Sequence, residues 1–232
     1  MAPTKLSGTF TYSPSLGELV LYAYSLCGIR RTALTQEHMA DAKTAVNLLL
    51  ADWLNQGVNL WQVELVTIPL VQGTGTYTMD PSVFVILDGY VTVGTGVAAT
   101  DRIILPIGRS EWASYPNKQQ QGFPTVFWMD RLLTPTVTLW PVPDGQEVSA
   151  SFYCLQQAQD ANYDSGQQPD VPYAWLKALA YGIAEGLCPI YAPERYAMIK
   201  PIAADAYDKA ARAGIETAQQ YIAPLIGGYY RS

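Results

Sequence analysis

The chain has 232 residues, a formal net charge of −6 and 49% hydrophobic residues, but only 15% are charged, against about 25% in an average soluble domain. That apolar content, with a mean hydropathy of +0.04, is enough for one sizeable core or two small ones and excludes global disorder. Acidity without a clustered run of Lys and Arg excludes a duplex-binding surface, and no apolar run reaches the roughly 18 residues of a membrane span.

The opening stretch MAPTKLSGTFTYSPS lacks the apolar core of a signal peptide, so export by that route is not expected. Ser15 is then predicted to cap a first helix, LGELVLYAYSLCGI, that ends near Gly28, with Arg30 and Arg31 placed to complement its negative end. Thr35 opens a second helix through about Gln56, in which Met39, Ala42, Val46, Leu49, Leu50 and Trp53 recur at spacings of three and four. The short join from Arg30 to Leu34 predicts that the two helices lie side by side as an antiparallel hairpin. His38, the sole histidine, falls in the first turn of the second helix and reads as a surface residue.

From Leu60 the period changes to two. WQVELVTIPL alternates, and β-branched runs follow at Val83 to Val93, Arg102 to Ile107, Val126 to Met129, Val137 to Trp140 and Val148 to Tyr153. Glycines 73, 75, 94 and 96 and Pro143-Asp144-Gly145 punctuate these runs as turns, and a short helical turn is predicted around Arg109 to Ser114. The whole reads as an antiparallel β domain.

A polar segment, Gln156 to Gln168, leads back to helix. Asp170 is predicted to cap a third helix, with Pro172 in its first turn and Cys188-Pro189 as its end. That helix is apolar on nearly every side and needs neighbours all round. Within it Ala178, Gly182 and Gly186 recur every four residues, a smooth strip that lets another helix approach closely. A fourth helix runs from Pro193 to about Ala218, with Ile199, Ile202, Ala206, Ala210 and Ala213 on its apolar side. The last stretch, APLIGGYYRS, has no periodicity and reads as a tail.

The predicted fold class is α+β: a bundle of four helices from both chain ends, an inserted antiparallel β domain and an extended C-terminal tail. The predicted domains are residues 1–60 as the N-terminal helix pair, 61–160 as the β domain, 161–220 as a C-terminal helix pair packing on the first, and 221–232 as the tail.

Chemical motifs are weak. GTGTYT at 73 and GTGVAA at 94 lack the strand-then-helix context of a phosphate cradle and read as hairpin turns. The loop from Asp160 matches a calcium loop at Asp160, Asn162 and Asp164, then fails at Ser165 and Val171, where glycine and glutamate are required. Cys27, Cys154 and Cys188 lie far apart without a Cys-x-x-Cys pair, as expected of reduced, buried thiols. Glu64, Asp88, Glu111 and Asp130 could form a carboxylate pair by proximity, but nothing selects one pair. No catalytic residue, cofactor-binding residue or metal ligand is therefore expected, and no enzyme activity or cofactor.

Four segments carry a family resemblance: the helix pair ending NQGVNLW at 55 to 61, the strand block PTVFWMDR with TLWPVPDG, the helix DVPYAWLKALAYGIAEGL, and the helix containing APERY and AADAYDKAARAG. Their order resembles the head-to-tail adaptor family of short-tailed bacteriophages, the tail accessory or head-completion proteins. The resemblance implies a structural protein of the virion, assembled in the host cytoplasm and placed at the head–tail junction. It implies a homo-oligomeric ring, a dodecamer, beneath the portal protein, receiving tail tube, nozzle or needle proteins. DNA would pass through without specific binding, and no membrane is involved. It also implies docking on the portal through the extended C-terminal segment, here Tyr221 to Ser232, whose Ile222, Leu225, Ile226, Tyr229 and Tyr230 would fill grooves. Some relatives have been credited with cell-wall hydrolysis, so a peptidoglycan hydrolase using a carboxylate pair is one alternative. Another capsid or baseplate component is a second.

Overall fold

A computed structural model describes residues 12–57, 60–162 and 166–214. In chain order the elements are α1 (Leu16–Leu26), α2 (Gln36–Gln56), β1 (Val63–Pro69), β2 (Thr76–Thr78), β3 (Val83–Val93), β4 (Thr100–Pro106), α3 (Arg109–Ser114), β5 (Val126–Asp130), β6 (Thr136–Trp140), β7 (Glu147–Gln156), α4 (Leu176–Tyr191) and α5 (Pro193–Ala213). The protein is thus mixed α+β, with helices from both chain ends beside a curled sheet.

Both N-terminal helices start on reciprocal caps. Ser15 Oγ accepts from the Glu18 amide while the Glu18 carboxylate accepts from the Ser15 amide at 2.9 Å. Thr35 and His38 repeat the device, with the Thr35 amide donating to His38 Nδ1 at 3.3 Å. At the other end of α1, Gly28 turns the chain with φ +83°. The carbonyl end is met by Arg195 of α5, whose Nη1 donates to Leu26 O at 3.1 Å.

The side-by-side pairing expected of α1 and α2 is not what forms. Each packs instead on α4, which also carries α5 along its length. The connection keeps Arg30 and Leu34 extended on either side of a single 3-10 turn, Arg31–Ala33, and beside it the Tyr24 hydroxyl of α1 donates to His38 O of α2. The shared core contains Val20, Tyr24, Val46, Trp53, Trp175, Leu179, Ile183, Leu187 and Ile199. The neighbours that α4 requires therefore come largely from its own chain.

Three predicted helix boundaries shift. Asp170 does not cap α4; its carboxylate accepts from the Gln159 amide at 3.0 Å, and the chain enters α4 through a 3-10 turn at Tyr173–Trp175. Pro189 does not end α4 either. Placed in the last turn it removes only one intrahelical bond, and the helix runs on to Tyr191. α5 ends at Ala213 on the cap Gly214, short of Ala218, whose position lies outside the described residues.

The sheet runs β1-β7-β3-β4-β5-β6-β2. One pair corrects the all-antiparallel expectation: β4 and β5 are parallel, with Leu105 opposite Val126 and Pro106 opposite Phe127. The cause is α3 and the loop after it, which bring the chain back level with the last residues of β4, so that β5 runs on in the same direction. A strand was also missed. β2, a three-residue element at Thr76–Thr78, pairs with β6. Gly73 is accordingly no hairpin turn between paired strands, because β1 and β2 stand at opposite ends of the strand order. Gly94 and Gly96, at φ +80° and +63°, do sit in the loop of the β3–β4 hairpin. Between the curled faces lies a second core of Val91, Ile104, Phe127, Val137, Leu139, Ala150, Phe152 and Cys154.

Candidate functional site

The small-residue strip of α4 faces α2. A Cβ built on Gly182 would lie 2.6 Å and 2.9 Å from the two δ-carbons of Leu49, and one on Gly186 would lie 3.5 Å from Ala45 Cβ. Ala178, the third member, is buried. A side chain at 182 would thus hold the two helices apart, whereas position 186 has room for a methyl group.

Near the other end of α4, groups distant in sequence lock the helices together. His38 stacks on Tyr191 with centroids 4.5 Å apart, and Tyr24 meets both rings edge-on while its hydroxyl donates to His38 O. Tyr191 Oη donates to Asp41 Oδ2 at 2.5 Å, and that carboxylate pushes the phenol up to about 12. His38 is therefore half-buried packing and not a free surface group. Beside this cluster, Cys27 and Cys188 bring their sulfurs within 3.4 Å, both buried. Burial and the neighbouring thiol push Cys27 up, and burial alone pushes Cys154 up to about 12, so both remain thiols at neutral pH.

The strand block that carried the resemblance holds α3 against the sheet. Trp128 on β5 and Trp140 on β6 point to one face, where Trp112 stacks on Trp128 at 5.9 Å and Tyr115 on Trp140 at 4.2 Å. Trp140 Nε1 donates to Asn117 O at 3.0 Å, which fixes the loop after α3. Elsewhere on the β domain several apolar side chains are exposed, among them Val97, Ile103 and Leu133.

The four carboxylates considered for acid–base chemistry are not drawn into one constellation. Glu64 stands opposite Cys154, and Asp88 opposite Tyr153, the next residue of the same strand. Cross-strand partners share a face and successive residues alternate, so Glu64 and Asp88 project to opposite faces of the sheet. Glu111 accepts from Tyr115 Oη at 3.4 Å, and Asp130 stands opposite Thr136 in the β5–β6 pair. In the calcium-like loop, Asn162 Oδ1 accepts from Lys43 at 3.1 Å, and Asp164 lies outside the described residues. No group of three or more His, Cys, Asp or Glu that could hold a metal occurs among the described residues. Sequence reasoning overlooked Glu147, which is buried with both carboxylate oxygens unpartnered among the described residues.

Between α1 and the start of α4 lies a groove of about 730 Å³, lined by Tyr12, Leu19, Tyr22, Tyr173, Leu176 and Tyr181, with Glu18, Arg31 and Lys177 at its walls. No local pattern signals it, because its walls are brought together from both chain ends. The segment singled out for docking, with Ile222, Leu225, Ile226, Tyr229 and Tyr230, lies outside the described residues.

Compared with known families, the chain matches the model described as SU10 adaptor protein over residues 29–227, a span that takes in the whole sheet and the helices α2 to α5. No curated protein matches it.

Proposed function

This chain belongs to the SU10 adaptor protein family, which makes it a phage structural protein and a virion component, and from that premise we propose that it forms a ring beneath the portal. The ring extends the DNA channel and receives the tail proteins, with the C-terminal segment from Tyr221 supplying the portal contact. The observation that carries this reading is the extent of the family match, over residues 29–227.

The chemistry of the chain agrees with that role. A net charge of −6 per copy suits a channel through which DNA slides, since an acidic wall repels the phosphate backbone and gives it nothing to hold. Ile222, Leu225, Ile226, Tyr229 and Tyr230 give the C-terminal segment the apolar side chains that an extended docking peptide lays into a groove. The hydrolase alternative gains no support from the sheet, where Glu64 and Asp88 project from opposite faces.

The free subunit is monomeric or weakly associated in this reading, and the portal is the template on which copies close into a ring, since a head-to-tail interface closes only when its rotation suits the symmetry. Light scattering should find a species near 25.4 kDa alone and a large complex on mixing with portal. Failure to form any complex with portal refutes the function. A stable ring without portal refutes only the order of assembly.

A further inference from the structure

The groove between α1 and α4 is open and built for apolar contact, with Tyr12 and Tyr173 at 70% and 74% exposure and Tyr22 at 46%. Tyr12 and Tyr173 meet edge-on at 6.4 Å, and Lys177 lies 5.7 Å from the centroid of the Tyr181 ring. Such a surface, tyrosines around apolar walls, matches an extended peptide carrying aromatic and branched side chains.

Where the chain leaves the described structure names the peptide. α5 runs back along α4, and its Tyr207 ring packs on Trp175 at 5.5 Å. Trp175 lies between Ala174 and Leu176, both groove-lining residues, and Lys177 of the groove lies in the field of Asp205 on α5. From Tyr207 to Gly214 the chain rises about 10 Å at 1.5 Å per residue, so the segment beginning at Ile215 starts close to the groove. Extended at about 3.3 Å per residue, it covers that distance within its first few residues. The competing occupant is the segment before Tyr12, which holds Met1, Leu6 and Phe10 as large apolar residues. The segment 215–232 is richer, with Ile215, Tyr221, Ile222, Leu225, Ile226, Tyr229 and Tyr230.

We infer that in the free subunit residues 215–232 fold back in cis into the α1–α4 groove, the tyrosine walls receiving the side chains from Tyr221 to Tyr230. The groove is then an intramolecular holder for the segment. Its consequence, that portal must displace the segment from the groove before ring closure, rests on the function proposed above; the fold-back itself does not.

The test uses the full chain without portal, so its failure leaves the portal-docking reading standing. Ala174→Cys combined with Leu225→Cys is exposed to oxidised glutathione; the native thiols at 27, 154 and 188 are buried. The expected result is an intramolecular disulfide at monomeric mass in most molecules, and little in a control pairing Ser114→Cys with Leu225→Cys. No crosslink, disulfide-linked dimers, equal yield in the control, or preferential bonding of Ala174→Cys to Phe10→Cys would each overturn the inference. A second readout needs no engineered thiol: backbone amides from Ile222 to Tyr230 should exchange about tenfold more slowly in wild type than in the Tyr12→Ser, Tyr173→Ser double variant. Equal rates in the two proteins would overturn it as well.

Discussion

Replacing Gly182 is the sharpest probe of how this chain holds its helices together. A Cβ at this position already sits 2.6 Å from one δ-carbon of Leu49 and 2.9 Å from the other, whereas carbon atoms settle at about 3.5–4.0 Å. For Gly182→Ala the strain is opposed by the gain of about 1 kcal/mol from removing a mid-helix glycine, and the half-buried Leu49 can turn aside, so the net loss is about 0–2 kcal/mol. Gly182→Leu adds a larger branched side chain against Leu49 of α2, and it should lose about 1–3 kcal/mol or more. That lowers Tm by about 2–4 °C per kcal/mol in a chain of this size. At Gly186 the nearest atom, Ala45 Cβ, is 3.5 Å away, so Gly186→Ala should gain about 0.5–1 kcal/mol. Lys177→Ala, on an exposed side chain, should stay within about 0.5 kcal/mol. Chemical denaturation measures all of these, and Leu49→Ala in the Gly182→Ala background should cost less than in wild type because the clash has gone. Equal midpoints for wild type and Gly182→Leu would refute the close α2–α4 contact.

Tyr191 makes stability depend on pH in the alkaline range. Its phenol is pushed up to about 12 by the hydrogen bond to the Asp41 carboxylate, so the folded state favours the protonated form. That contribution is complete below the ordinary tyrosine value near 10 and is lost as pH rises from there through about 12. Tyr191→Phe should therefore flatten the fall in stability across that window; identical pH profiles would show that the bond contributes nothing. Purified protein should give no lysis band on peptidoglycan zymography, and a band abolished by Glu64→Gln or Asp130→Asn would sink the purely structural reading. Deleting Tyr221 to Ser232 should leave the described domain folded while removing portal capture in a pull-down, because the large apolar side chains of that segment would bury their surface on the partner at about 25 cal/mol per Å² before ordering costs. Capture at wild-type strength would move the docking surface onto the described domain.

The long strands were legible because alternation and β-branched residues report pairing directly: Val83 to Val93 is the full extent of β3. β2 was not, since three residues carry no period and its partner β6 is remote in sequence. The parallel β4–β5 pair was hidden for a related reason, because strand direction is set by the path of the intervening chain and not by the strands themselves. Ser15 and Thr35 announced their helices through capping chemistry local to four residues. The partner of each helix was a different matter. A short join suggested that α1 packs on α2, yet the small and apolar faces of α4 draw both to themselves. His38 looked like a surface residue because nothing near it in sequence reveals Tyr191. For the candidate site, the four-residue spacing of Ala178, Gly182 and Gly186 is visible in the sequence, while Leu49 and Ala45 opposite them are visible only in the fold.

We propose that this adaptor-family subunit becomes a ring on the portal through its C-terminal segment. Particle imaging of the purified protein mixed with its portal tests it most directly. The expected particle is a closed ring coaxial with the portal, with the DNA channel continuous through both and density for residues 221–232 lying in grooves of the portal surface. Portal particles that stay bare, or a ring held to the portal by the β domain with residues 221–232 making no portal contact, would contradict it.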